Sequence, residues 1–183
     1  MKVTLKDVRL AFPALFEAKT INGEGDPRFS AVLLFDKGSD NYNAVMSAMK
    51  AVAEDKWEEK MEANWKAIKA KNAFCLHDGA EKPEYEGFEG KFFVSAHNKA
   101  RPKVVDRNRQ ELVQADGKPY AGCYVNAVID IWAQDNKYGK RINASLSGIQ
   151  FVRDGDAFAG GGVASADDFD DLSVDDSGAD DFM

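Results

Sequence analysis

Hydrophobic and polar positions alternate in five stretches of the chain, and a helical stripe interrupts them once. The first stretch, "KVTLKDVRLAF", places Val3 and Leu5 on one face, then Val8, Leu10 and Phe12. The phase slips at Asp7, as a β-bulge makes it do. "NGEGDP" is a turn, and "RFSAVLLF" follows as a second strand, apolar enough to be well buried. Ser39 and Asp40 then offer N-caps for a long helix to about Asn72. Its apolar stripe runs through Tyr42, Val45, Met46, Met49, Val52 and Ala53, then Trp57, Met61, Trp65 and Ile68. The stripe drifts after Ala53, which predicts a bend or break near Glu54. Trp57 and Trp65 read as packing residues of that stripe.

"HDGAEKPEYEGFEG" reads as a loop and "KFFVSAH" as a third strand. "CYVNAVIDIWA" and "RINASLSGIQFVR" form a fourth and fifth strand around the hairpin turn "DNKYGK". The pattern is mainly β with one long helix. It fits a five-stranded barrel of the OB type, with a β-sandwich carrying a helical insertion as the alternative. After "RDGDAFAGGG" periodicity stops, and Gly, Ala, Ser and Asp dominate. Too few apolar residues remain there to offset the entropy of ordering. The expected organisation is a folded domain over 1–155 and a disordered acidic tail over 156–183.

Charge sharpens this division. The net charge of −7 averages two unlike regions. Ten Asp and no Lys or Arg lie between Asp154 and Met183; the 24 basic and 21 acidic residues of the preceding body leave it at +3. A basic body with an acidic tail points to a polyanion-binding protein. No apolar run is long enough to span a bilayer. The N-terminus is too charged for a signal peptide. Cys75 and Cys123 form no disulfide framework, and a reduced cytosolic setting is expected.

Catalytic chemistry finds little support. No glycine-rich phosphate loop is present. Cys75 and His77 lack a second ligand pair at zinc spacing, so no metal is expected. The carboxylates Asp78, Glu81, Glu84, Glu86 and Glu89 suit a magnesium-dependent nuclease, which is the alternative function. Pro83, Gly87 and Gly90 punctuate that stretch, however, and make it read as a solvated loop. The expectation is a protein that is not an enzyme and needs no cofactor.

Nucleic-acid binding fits better. Between Lys91 and Arg109 the charge is +5, from Lys91, Lys99, Arg101, Lys103, Arg107 and Arg109 against Asp106 alone. In the third strand Phe92, Val94 and Ala96 face the core, while Lys91, Phe93, Ser95 and His97 face outward. In the fourth, Val125, Ala127, Ile129 and Ile131 are buried, opposite Tyr124, Asn126, Asp130 and Trp132. In the fifth, Ile142, Ala144 and Leu146 point in, and Arg141, Asn143, Ser145 and Ser147 point out. The intervening turn adds Lys137, Tyr138 and Lys140. Aromatic rings interleaved with cations on an exposed strand face suit stacked bases and a tracked phosphate backbone. Alanine at Trp132 or Phe93 is expected to weaken binding to oligo-dT.

One stretch is specific enough to suggest a family. "YAGCYVNAVIDIWAQDNKYGKRINASLSGIQFVRDGDAFAGGG" resembles the single-stranded-DNA-binding proteins of tailed bacteriophages. The matching positions are Tyr120, Gly122, Tyr124, Val125 and Asn126, then Trp132, Gly139, Leu146, Gly148, Ile149, Gln150, Phe151, Asp154 and Gly155. "VRLAFPALFEA" and "RFSAVLLF" carry the likeness toward the N-terminus. The resemblance implies an OB fold, sequence-tolerant binding of single strands, and a role in phage replication or recombination. It implies the cytoplasm of an infected or lysogenic bacterial host. Small phage binders are often dimers, so a homodimer is a further expectation.

The tail resembles the acidic ends of such binders, which recruit phage or host replication and recombination proteins. Asp175, Asp176, Asp180, Asp181 and Phe182 are the expected contacts, although Met183 follows the aromatic residue. Against a basic body the same tail is also an intramolecular competitor for the DNA groove.

Overall fold

A computed structural model describes residues 1–158, Asn22 excepted. The acidic stretch that carries Asp175, Asp176, Asp180, Asp181 and Phe182 lies outside the described residues.

Among the described residues seven strands and two α-helices form, in the order β1 (Lys2–Ile21), β2 (Glu24–Phe35), α1 (Asp40–Trp57), α2 (Met61–Ala70), β3 (Leu76–Asp78), β4 (Phe92–Asn98), β5 (Lys103–Val105), β6 (Tyr124–Asn136) and β7 (Gly139–Arg153). The antiparallel neighbours run β4-β2-β1-β6-β7, and a parallel contact of β4 with β7 at His97 and Ser145 closes the ring. The result is a closed five-stranded barrel with OB connectivity, which removes the sheet edges that an open sandwich would leave. β3 and β5 are three-residue additions, paired to β4 and β7.

The barrel interior is filled by the alternating positions of the sequence pattern. Leu5, Val8, Leu10, Leu33, Val94, Val125, Ile129, Ile131, Ile142 and Leu146 are fully buried. Each such side chain contributes roughly 1.5–3 kcal/mol. The slip at Asp7 is a bulge with φ of 53°. Side chains satisfy its unpaired backbone: Lys6 N donates to Asn41 Oδ1 (2.9 Å), and Asp7 N donates to Asn126 Oδ1 (2.9 Å).

A second slip corrects the sequence reading. Phe12 takes φ of 46°, the β1–β2 register shifts between Ala11 and Ala14, and the ring turns to the outside of the barrel. Leu15 takes over the inward phase. β1 is therefore 20 residues long and feeds a tall hairpin with β2.

The helical stripe packs into the same core through Val45, Ala48, Met49, Ala53, Trp57 and Ile68. Ser39 caps α1 by accepting from Tyr42 N (3.2 Å). The break falls at Glu58, φ 48°, four residues after the expected point, and one 3₁₀ turn leads into α2. Trp57 is a core residue whose Nε1 donates to Asp135 Oδ2 (2.9 Å), and Trp65 packs on Phe74.

Candidate nucleic-acid interface

Register alone puts four strands' outer positions side by side. Ser30 of β2 is opposite His97 of β4, His97 is opposite Ser145 of β7, and Asn143 of β7 is opposite Trp132 of β6. Strands alternate, so Arg28, Ser30 and Val32 share this face with Ser95 and His97, then with Arg141, Asn143 and Ser145, then with Trp132. A cleft of about 400 Å³ runs along its β1–β2–β4 part, lined by Phe12, Lys19, Arg28, Ser30, Val32 and His97.

Trp132 is 39% exposed, and its Nε1 donates to Ser145 Oγ (3.0 Å), which fixes the indole on the sheet. His97 is half-buried. Desolvation first, then the Arg28 and Arg141 guanidinium groups, hold its pKa below the usual 6.5. The two arginines thus flank one neutral imidazole. At the β6–β7 turn Tyr138 is 77% exposed with the Lys137 ammonium 5.1 Å from its ring centroid, and Lys140 is exposed beside it.

Other candidates lie elsewhere. Phe93 does face outward from the barrel, but it offers no free ring. It is 5% exposed, stacks on His77 (5.1 Å between centroids) and meets Phe88 edge-on (5.2 Å). The stretch 79–90 roofs this part of the sheet: Phe88 is buried with Phe93, Leu34 and Phe158, and Tyr85 reaches Phe12 (4.8 Å). Lys91 pairs with Asp36 (2.5 Å). Tyr124 is covered by the Arg153 guanidinium at 3.6 Å, which in turn bonds Asp7. Both residues line a separate cleft of about 440 Å³ with Arg9.

The +5 segment is not one patch either. Lys99 pairs with Asp26 (3.0 Å), and Arg101 lies over Phe29 (5.1 Å) while donating to Phe16 O (2.6 Å), at the β1–β2 hairpin. β5 then carries the chain along β7. Lys103 pairs with Glu111 (3.6 Å), Arg107 donates to the Val152 carbonyl, and Arg109 sits in a turn with φ of 65°.

Lys19, Arg28 and Phe12 escaped the sequence reading. Arg28 opens "RFSAVLLF", a strand apolar enough in both phases to read as well buried, so its outward position is not marked by alternation.

The loop carboxylates have structural occupations. Asp78 accepts from Ala80 N (2.9 Å), and Glu81 lies 3.4 Å from His77 Nδ1 and accepts from Asn72 Nδ2. Cys75 and Cys123 are buried, and burial pushes their thiols up to about 12 and about 11. No described helix is long and apolar enough to cross a membrane.

The family model for the Enterobacter phage Enc34 ssDNA-binding protein matches residues 1–183. This chain belongs to that family. A relative from Acyrthosiphon pisum secondary endosymbiont phage 1, putative protein p50, is 48% identical over 177 residues, 95% of each chain. Among solved structures, the bacteriophage Enc34 single-stranded-DNA-binding protein in complex with ssDNA superposes with a TM-score of 0.67 at 29% identity, over 86% of this chain and 89% of that one. Its C-terminal truncation gives 0.65 at 31% identity, over 86% and 88%. Bacteriophage T7 gp2.5, a single-stranded-DNA-binding protein, shares the fold with a TM-score of 0.55 at 12% identity, over 93% and 97%. The Enc34 family is one of binding proteins rather than enzymes. On that ground the nuclease reading of the Asp78–Glu89 loop is set aside.

Proposed function

We propose that this chain binds single-stranded DNA, with little regard to sequence, along the outer face of β2, β4, β7 and β6. The observation that carries the reading is the alignment of Arg28, His97, Arg141 and Trp132 on one open sheet face, in a chain of this family. The arginines neutralise phosphates, and release of counterions supplies the salt-sensitive part of the affinity. Trp132 stacks on a base, an interaction worth roughly 1–3 kcal/mol and tolerant of sequence. Lys19, Lys99 and Arg101 extend the charged track at the β1–β2 hairpin, and Lys137, Tyr138, Lys140 and Arg141 extend it at the β6–β7 turn. Lys91, Lys103, Arg107, Arg109 and Tyr124 serve strands that run beyond the groove. Phe93 supports the groove from beneath the roof.

The setting of this activity is phage replication or recombination in the host cytoplasm. The acidic segment expected over 156–183, whose first residues to Phe158 pack on the barrel, recruits replication proteins, with Asp175, Asp176, Asp180, Asp181 and Phe182 as the contacts. A gel-shift series with single-stranded, duplex and RNA oligonucleotides at two salt concentrations tests the binding. Retardation of single strands at low salt, relieved at high salt, is the expected result. Unretarded single strands at low salt contradict it.

A further inference from the structure

A second cleft lies on the helical side of the molecule, lined differently from the sheet face. It measures about 510 Å³ and opens between α1, α2, β3 and the start of β4. Its floor is aromatic: Tyr42 meets Phe92 edge-on at 5.1 Å, and Trp65 tilts against Phe74 at 4.6 Å, with Met46 of α1 also lining it. All five side chains are only partly buried, although each packs on the core. Lys37, Lys50 and Lys69 line the same cleft. None of the three forms an ion pair among the described residues, and Lys37 lies 5.9 Å from the Phe92 ring centroid. Two carboxylates, Asp78 and Glu81, also line it, but they are committed to Ala80 N and to His77 and Asn72. An aromatic floor beside three unpaired ammonium groups is complementary to a short peptide that joins acidic residues to a large apolar side chain.

The chain contains that peptide twice. Asp167-Asp168-Phe169 and Asp180-Asp181-Phe182 repeat one motif within residues 159–183. The last described residue, Phe158, is fixed by Arg9, 4.1 Å from its ring centroid, and by a bond from its N to Ala121 O (3.1 Å). From that anchor an extended chain reaches about 35–40 Å to Phe169 and about 80 Å to Phe182. Tethering raises the effective concentration of either motif to the millimolar range, so weak docking suffices.

We propose that the Tyr42–Trp65–Phe74–Phe92 cleft is a docking site for an Asp-Asp-Phe motif of this chain's own acidic segment, separate from the DNA-binding face. The phenylalanine enters the aromatic floor, and the paired aspartates meet Lys37, Lys50 and Lys69. Docking there masks the motif from other proteins without occupying the groove.

The three tryptophans make the test direct, because each reports one place: Trp57 the core, Trp65 the cleft, Trp132 the sheet face. Indole N–H signals of the full ¹⁵N-labelled chain are compared with those of the Phe169→Ala/Phe182→Ala chain, without DNA. The Trp65 signal is expected to move while Trp57 and Trp132 stay. Adding the peptide DDSGADDFM to the doubly substituted chain should return Trp65 saturably toward its original position. Lys50→Glu/Lys69→Glu, at exposed helical sites, should weaken that titration at least tenfold. Movement of Trp132 in place of Trp65 overturns the proposal by putting the motif on the sheet face. So does an unmoved Trp65, or a peptide affinity indifferent to the two lysines. Because no DNA is present, failure here leaves the DNA-binding reading untouched.

Discussion

Trp132 and His97 are neighbours across one strand, yet they report different physics. Trp132 presents its ring from a position fixed by Ser145. Trp132→Ala should weaken oligo-dT binding by roughly 1–3 kcal/mol, the range for one stacked base, as read by equilibrium titration. His97 tests the electrostatics. Its free-state pKa is depressed by desolvation and by Arg28 and Arg141. A phosphate beside the ring favours the imidazolium and raises the pKa in the complex. Binding then takes up a proton, so affinity should rise as pH falls from 7.5 toward 5.5. His97→Asn should flatten that rise. For folding the sign is opposite. The neutral ring's contribution is present above the unfolded pKa near 6.5 and is lost progressively as pH falls from there toward the depressed folded value.

At the scale of elements, the roof over β4 decides which aromatics are free. Phe88 closes over Phe93 from a stretch that reads as solvated, because "EYEGFEG" carries three carboxylates and two glycines for its two rings. Phe88→Ala should cost about 3–5 kcal/mol in denaturant unfolding, as for other buried phenylalanines. Gly79→Ala should also be disruptive, since an added Cβ would meet Phe88 O at 1.8 Å. The barrel strands were legible, because period-two alternation survives wherever one face is buried. The first bulge showed as a broken phase at Asp7. The second stayed hidden, because Phe12 is apolar and fits either face. β3 and β5 span three residues each, too few to establish a period. Trp132 and Arg141 were legible as outward positions opposite a clean apolar set. Arg28 was not, because Val32 and Leu34 share its face and mask the alternation.

For the whole molecule, charge distribution matters more than net charge. The proposed binding is compatible with an overall −7, because Arg28 and Arg141 share the outer face around His97 while ten Asp lie between Asp154 and Met183. Arg28→Ala and Arg141→Ala should each weaken binding to every sequence alike and reduce the salt slope by about 0.7, the value for one phosphate of a single strand. The most direct test of single-strand binding at the β2–β4–β7–β6 face is a titration of the full chain with oligo-dT across a salt series, followed by tryptophan emission. Binding at this face quenches the emission, and the quenching disappears in Trp132→Ala. The affinity falls linearly in log–log form, with a slope near −0.7 for each phosphate neutralised. Quenching undiminished in Trp132→Ala, or an affinity indifferent to salt, would contradict binding at this face.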